Sequence, residues 1–356
     1  MGSVPELVTD TPVRTERRQR NEGRLDHAVR DADRIRFPSD FGIRYTVFVD
    51  TEEEFDWTQP RSRDSIGTSH IKFLPEFQRL ADSFGVKPCY LIDYPVANAP
   101  ESAATIAGML ADGNCTVGTQ LHAWVNPPFD EEMTSFNSFA GNLPPALERT
   151  KLEILTERIT EAVGVRPTVY RAGRYGIGAN TAGILRSLGY EMDVSIRPSF
   201  DYSHEGGPDF KRFDPRPFWA GPDHALIEMP LGVAYTGLLR GFGRLLYGRS
   251  SGKARGLLSR TALLSRVALT PEDMPFADVK NAIDALIDDG IQCLSFSFHS
   301  PSVVPGHTPY VQNSAQLSDF YRWWDKIVDH LHLRGVTPVG TDEIIATAMA
   351  SKTQST

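Results

Sequence analysis

The chain has few cysteines, and their spacing provides neither a disulfide framework nor a metal site. Cys89, Cys115 and Cys293 all lie within apolar runs and lack the Cys-x-x-Cys spacing that is typical of zinc ligands. We therefore expect three buried free thiols in a reducing compartment.

Long apolar segments are also absent. No run of about 18 apolar residues occurs, so the sequence predicts no membrane-spanning helix. Residues 1–39 contain no apolar stretch of roughly 7 to 15 residues, which a secretory signal requires. We therefore expect a cytoplasmic protein.

Positive charge is not in excess, because 37 Lys and Arg face 45 Asp and Glu for a net charge of -8. The basic stripe that a nucleic-acid-binding surface needs is missing. The exception is 237–266, where basic residues alternate with leucines: Arg240, Arg244, Arg249, Lys253, Arg255, Arg260 and Arg266. This segment predicts a basic helical insertion, either an ordinary solvated face or a cover for the barrel mouth that contacts an anionic substrate or a membrane surface.

Short β-branched runs alternate with longer amphipathic segments from about residue 41. The predicted strands lie near 43–49, 87–92, 114–119, 167–171, 191–196, 225–230, 292–298 and 336–339. Helical periodicity appears over 147–159 and 277–289. The alternation predicts a parallel α/β barrel, because the Gly-rich turn of a doubly wound sheet is missing after the first strand. We expect a polar, flexible extension over 1–40, one barrel domain over 41–346 and a tail over 347–356.

An acidic cluster follows the first predicted strand. It contains five carboxylates within seven positions: Asp50, Glu52, Glu53, Glu54 and Asp56. Such a cluster at the end of a buried strand indicates a bound cation or proton transfer, with a solvated acidic loop as the alternative. In an extended chain Asp50 and Glu52 point to the same side, whereas a bulge would put Glu53 or Glu54 in place of Glu52.

Three other predicted strand ends carry reactive side chains. His122 and Asn126 follow the third strand, Arg171 follows the fourth, and His299 follows the apolar run 294–298. Imidazole is a good zinc ligand and an amide a weak one, a guanidinium group can orient a carboxylate, and His299 is a candidate general acid. A lone histidine after a strand is usually structural, but in a barrel these strand ends converge near the axis.

These motifs resemble the polysaccharide deacetylases of the NodB-homology type, carbohydrate esterase family 4, over about 43–345, and particularly the WalW-like subgroup. The resemblance implies a deformed (β/α)7-type barrel. The family's first motif supplies a catalytic-base aspartate and a metal-binding carboxylate, which look like Asp50 and Glu52. Its second motif, H-[ST]-x-x-H-P, supplies two metal-binding histidines; it is matched by His122, but Asn126 replaces the second histidine.

Two further motifs complete the resemblance. Arg171 resembles the arginine that orients the base, and His299, in Phe-Ser-Phe-His, resembles the histidine that acts as the general acid. The implied activity is hydrolysis of an N-acetyl or related acyl group on a sugar or polysaccharide precursor. A small-molecule or oligosaccharide substrate is expected to contact Trp124, Tyr175 and Arg174.

The implied cofactor is a divalent metal, zinc in the first place, held by Glu52, His122 and Asn126. The substitution at Asn126 keeps an alternative open, a metal-independent hydrolase of a non-acetyl amide or cyclic imide. A second alternative is a carbohydrate-binding relative that has lost catalysis. The sequence does not indicate an oligomeric state.

Overall fold

The computed structural model of the chain describes residues 24–25, 27, 29–249 and 252–354. The predicted flexible extension over 1–40 therefore lies largely outside the described residues. Within the described part, Leu25, Ile35 and Phe37 are buried among core side chains. Packing thus begins before the predicted boundary at residue 41, and a helix continues through most of the predicted tail.

A curled, mainly parallel sheet forms the centre of the molecule. Its strands are β1 Arg44–Thr51, β2 Cys89–Ile92, β3 Thr116–Leu121, β4 Val169–Ala172, β5 Met192–Asp193, β6 Phe218–Ala220, β7 Leu226–Glu228, β10 Cys293–His299 and β11 Thr337–Pro338. The order is β10-β1-β2-β3-β4-β5-β7-β6, with β11 beside β1, and only the β6–β7 pair is antiparallel. A separate antiparallel hairpin consists of β8 Val233–Thr236 and β9 Ser265–Ala268. The predicted strands are confirmed, whereas β6, β8 and β9 were not predicted.

The residues that flank this hairpin, Gly232 before β8 and Leu269 after β9, form hydrogen bonds to β10. The Gly232 amide donates to Ser295 O at 3.0 Å, and the Ser297 amide donates to Leu269 O at 3.2 Å. A Cβ atom at Gly232 would lie 2.7 Å from Ser295 O, so this approach requires glycine. Single hydrogen bonds, and not a continuous ladder, therefore connect the hairpin to β10. The prediction of a single-domain, deformed (β/α) barrel is confirmed.

Helices cover the outside of the sheet. They are α1 Leu74–Ser83, α2 Tyr94–Asn98, α3 Pro100–Ala111, α4 Pro145–Val163, α5 Thr181–Ser187, α6 Gly243–Arg249, α7 Gly252–Arg260, α8 Phe276–Asp288, α9 Ser314–Leu333 and α10 Thr341–Gln354. The two predicted amphipathic helices are confirmed as α4 and α8. In β1, Tyr45, Val47 and Val49 join the core under the helices, whereas Phe48 belongs to a second apolar cluster, as expected for a strand that is buried on both faces.

The basic insertion forms α6 and α7 at the tip of the β8–β9 hairpin. Arg240 pairs with Asp288 and Asp289, at 3.6 and 3.0 Å, where α8 ends and the chain turns toward the start of β10. This is the end of the barrel opposite the carboxyl ends of the strands. No helix in the described ranges is long and apolar enough to cross a membrane.

Candidate active site

A cleft opens at the carboxyl ends of the central strands. The residues predicted to act there, Asp50, Glu52, His122, Arg171 and His299, all line it. They come from β1, from the ends of β3, β4 and β10, or from the residue that follows the strand. Parallel strands bring these ends together, as the barrel prediction requires.

Asp50 is buried and lies between a guanidinium group and an imidazole. Arg171 Nη1 donates to Asp50 Oδ2 at 3.3 Å, and Arg171 Nε lies 3.3 Å from Oδ1. His299 stands directly beside Asp50 in the β1–β10 register, with Nε2 3.8 Å from Oδ2. These two neighbours orient the carboxylate at the base of the cleft.

His299 is held by a buried carboxylate from the loop before α8. Glu272 Oε2 lies 2.7 Å from His299 Nδ1, and Glu272 Oε1 accepts bonds from the His299 amide and from Ser302 Oγ. Burial alone would lower the pKa of His299, but the charges of Glu272 and Glu52 and the hydrogen bond to Glu272 raise it to about 10. The imidazole is therefore a cation near neutral pH and can donate a proton.

His122 is oriented by Glu53. Its Nδ1 lies 2.6 Å from Glu53 Oε2, and Trp124 Nε1 donates to Glu53 Oε1 at 2.8 Å. Burial lowers the pKa of His122, so the hydrogen bonds assign a neutral ring with its proton on Nδ1. Glu53, Asp93 and His122 are close enough together to hold a cation. However, Glu53 is already bonded to the side chains of His122 and Trp124, which leaves His122 Nε2 as the atom that faces the cleft. A carboxylate behind an imidazole is the usual support of a metal-binding histidine.

Glu52 and His122 meet at the side chain of Gln120. Gln120 Nε2 donates to Glu52 Oε2 at 2.8 Å and lies 3.0 Å from His122 Nε2, which is 3.5 Å from Glu52 Oε2. Glu52 Oε1 and Gln120 Oε1 are buried and have no hydrogen-bond partner among the described residues. Burial raises the pKa of Glu52 to about 8, although His299 and His122 act against this shift. Two unpartnered oxygens beside an imidazole nitrogen form a donor set that fits a divalent cation once the Gln120 amide rotates.

Asn126 does not reach this donor set, which corrects the predicted ligand set. Its Nδ2 donates to Pro127 O at 2.7 Å and to Lys151 O at 3.0 Å, and it does not line the cleft. The chain turns directly after His122, whose carbonyl accepts the amide of Asn126, and this turn directs Asn126 toward α4. In a strand the residue that shares a face with His122 is two positions away, which is Gln120.

The residues predicted to contact substrate form the wall of the cleft. The Trp124 ring stacks on His122 with centroids 4.2 Å apart and is only 3% exposed, so it mainly packs behind the imidazole. Arg174 donates to Ser138 Oγ at 2.5 Å and pairs with Glu205. Arg174 and Tyr175 have φ angles of 56° and 60°, a left-handed conformation that is uncommon for non-glycine residues.

Sequence reasoning missed several residues of the cleft. Gln120 was recognisable, because strand periodicity puts it on the same face as His122. Glu272, Arg61 and Arg197 carry no local signal, since only the tertiary fold brings them to the cleft.

Comparison with known proteins identifies the fold. No protein-family model matches the chain, and no curated protein matches its sequence. A protein from Mycobacterium smegmatis that is described as a polysaccharide deacetylase aligns over 92% of this chain and 96% of its own, with 17% identity and a TM-score of 0.57. The allantoinase PuuE aligns over 86% of this chain and 90% of its own, with 15% identity and a TM-score of 0.50. The chain therefore has the deformed barrel fold of these proteins.

Proposed function

We propose that this chain is a cytoplasmic hydrolase of carbohydrate esterase family 4, close to its WalW-like subgroup. It removes an N-acetyl or related acyl group from a sugar or a polysaccharide precursor. The observation that carries the proposal is the meeting of the Asp50–Arg171 pair, the His299 cation and the Glu52–His122 pair in one cleft. The shared fold with a protein described as a polysaccharide deacetylase supports it.

In this proposal Asp50 is the general base and His299 the general acid. Asp50 takes a proton from water while the water oxygen forms a bond to the acyl carbon. The C–N bond then breaks, and His299 gives its proton to the nitrogen, so that a carboxylic acid and an amine leave. Arg171 orients Asp50, and Glu272 keeps His299 protonated.

Glu52, His122 and Gln120 are the residues that would hold a divalent cation. Their carboxylate, imidazole and amide groups suit zinc among other ions, and Glu53 fixes the His122 ring for this role. When bound there, such an ion lowers the pKa of water and polarises the carbonyl group.

A second candidate is a metal-independent hydrolase of a non-acetyl amide or a cyclic imide on the same fold. It is favoured by the Gln120 amide nitrogen, which lies 2.8 Å from Glu52 Oε2 and 3.0 Å from His122 Nε2 and so connects these two side chains without a cation. Asp50, Arg171 and His299 keep their roles in this candidate. A chelator distinguishes the two, because it stops amine release only in the metal-dependent case.

The test compares Asp50→Asn with Asp56→Asn, a matched change at an exposed aspartate six residues along the chain. We measure amine release from N-acetylglucosamine and its oligosaccharides, and the binding of the same compounds. Loss of the base is expected to lower turnover by at least about 100-fold with binding retained, whereas Asp56→Asn has no effect. Binding without turnover in the unmodified protein would instead identify an inactive carbohydrate-binding relative.

A further inference from the structure

The cleft has an arginine-rich wall that the proposed chemistry does not use. Four arginines line the cleft: Arg61, Arg171, Arg174 and Arg197. Arg171 pairs with Asp50, and Arg174 pairs with Glu205. The other two arginines form no ion pair with a carboxylate in the part of the chain that the structure describes.

Arg61 is a half-buried cation next to the proposed reaction centre. Its guanidinium carbon lies 5.2 Å from the centre of the Trp124 ring, and that ring stacks on His122. Its Nε is buried without a hydrogen-bond partner, and no carboxylate in the described part of the chain forms an ion pair with it. Burial, together with the nearby charge of Arg174, lowers the pKa of Arg61 to about 10, so it stays protonated at neutral pH.

Arg197 lies in the same cleft and also stands beside aromatic rings. Its guanidinium carbon lies 5.4 Å from the Tyr175 ring and 3.9 Å from the Phe200 ring. Arg171, the partner of Asp50, lies 5.8 Å from the same Tyr175 ring. Arg197 donates to a neutral hydroxyl, Tyr202 Oη, at 3.3 Å, and it forms no ion pair with a carboxylate of the described ranges.

The charges of the cleft are thus divided. The carboxylates Asp50, Glu52 and Glu272 surround the reaction centre, and two guanidinium groups that form no ion pair among the described residues lie one aromatic ring away from it. Desolvated guanidinium groups without a partner are costly, and they bind carboxylate or phosphate oxygens in well-defined geometry. A neutral sugar would leave both cations unpaired.

We propose that the substrate carries an anionic group, a carboxylate or a phosphate, which Arg61 and Arg197 bind while the amide lies at Asp50. This inference rests on the proposed function for the identity of the reacting group. It narrows the substrate class to acidic or phosphorylated N-acyl sugars.

The experiment compares three N-acetyl sugars with the same amide: N-acetylglucosamine, N-acetylglucosamine 6-phosphate and N-acetylmuramic acid, which bears a carboxylate. We expect one of the two anionic sugars to have at least about tenfold higher kcat/KM than the neutral sugar, and their ranking distinguishes phosphate from carboxylate. Arg61→Gln and Arg197→Gln are expected to reduce this preference about tenfold, mainly through KM. Arg322→Gln, at an exposed arginine on α9, is the matched control and leaves the preference unchanged.

Two results separate this inference from the proposed function. Equal turnover of neutral and anionic sugars, unaffected by either arginine variant, overturns the anion site and leaves the deacetylase intact. If no amide is cleaved, the proposed function is wrong. Calorimetric measurement of the affinity for the same sugars then tests the anion site by itself. Tighter binding of an anionic sugar that depends on Arg61 and Arg197 supports the anion site, and equal affinities overturn it.

Discussion

At the scale of single residues, the side chain two positions before His122 determines what the cleft can bind. Gln120 and His122 share one face at the end of β3, and both meet Glu52. Asn126 instead bonds to backbone carbonyls beside α4. We therefore infer that the residue at position 120 determines how strongly the cleft binds a cation.

Gln120→His is expected to increase divalent-metal content, because an imidazole is a stronger zinc ligand than an amide. Asn126→His is the matched change at the position that the sequence suggested, and it should not increase metal content, because its side chain faces away from Glu52. Elemental analysis after equilibration with zinc measures both proteins. More metal in the Asn126 variant than in the Gln120 variant would contradict the assignment.

The positions of some residues of the site could be predicted from the sequence, and those of others could not. Asp50, Arg171 and His299 were predictable, because each ends an apolar run that can only be a buried strand. Asn126 was wrongly placed beside His122, because a four-residue spacing in a loop does not fix the side-chain direction. Glu272 was not predictable, since it lies 27 positions from His299 and meets it only through the fold.

At the scale of elements, the turn after β4 supports the end of β3. Gly173 packs so closely that an added Cβ would lie 2.5 Å from His122 Cδ2 and 2.6 Å from Leu121 O. Any side chain at this position must displace the His122 ring or the β3 backbone. The glycine therefore contributes to the geometry of the site without contacting substrate.

Gly173→Ala is expected to abolish amine release, because the His122 ring is displaced from Glu52 and Gln120. Gly183→Ala is the control: it lies in α5, an added Cβ meets nothing within 4 Å, and alanine stabilises a helix interior by up to about 1 kcal/mol. Activity and thermal unfolding are measured for both. Full activity in Gly173→Ala would show that the site tolerates a displaced His122.

A second prediction at this scale concerns Glu148 on α4, which is buried and accepts a bond from Thr181 Oγ1 at 2.5 Å. Burial raises its pKa from 4.5 to about 7. Between these values the unfolded chain has lost a proton that the folded protein keeps, so stability falls as pH rises toward 7 and then levels off. Glu148→Gln is expected to stabilise the protein at pH 8 by up to about 3 kcal/mol, with little gain at pH 4.5.

Denaturant unfolding at the two pH values measures this difference. Glu157→Gln, an exposed position on the same helix, should leave the pH dependence unchanged. A Glu148 variant with the pH dependence of the unmodified protein would show that Glu148 is ionised in the folded state.

The buried central strands were predicted more accurately than the strands of the hairpin. β1 and β10 were predicted to within two residues, because most of their side chains are buried and apolar residues recur along both strands. β8 and β9 were missed, because both border or enter a segment whose arginine and leucine spacing indicates a helix. β8 pairs with β9 across the insertion, and such a long-range contact cannot be predicted from the local periodicity of the sequence.

At the scale of the whole molecule, Arg240 of the basic insertion lies at the end of the barrel opposite the cleft, whereas Arg266 packs on the Phe200 ring that Arg197 also contacts. No residue of 237–266 that the structure describes lines the cleft, and Arg240 is paired at the far end of α8. The insertion does expose apolar side chains, including Phe242 and Leu257. The cover for the barrel mouth that the sequence suggested is not supported.

Replacement of residues 238–262 by a short Asn-Gly turn is expected to leave kcat/KM for the best N-acyl sugar unchanged. The β8–β9 ladder ends before this segment and accepts a tight turn. Thermal unfolding verifies that the shortened chain folds. A large loss of activity at unchanged thermal stability would mean that the insertion acts at the cleft after all.

The proposed function requires that the cleft hydrolyses an amide with water as the nucleophile. Turnover of an N-acetyl sugar in ¹⁸O-labelled water tests it most directly, with mass spectrometry of the released acetate and assay of the free amine. We expect one ¹⁸O atom and one amine for each acetate released, and neither product from Asp50→Asn. Release of unlabelled acetate, or no amine from any N-acyl sugar tested, would contradict it.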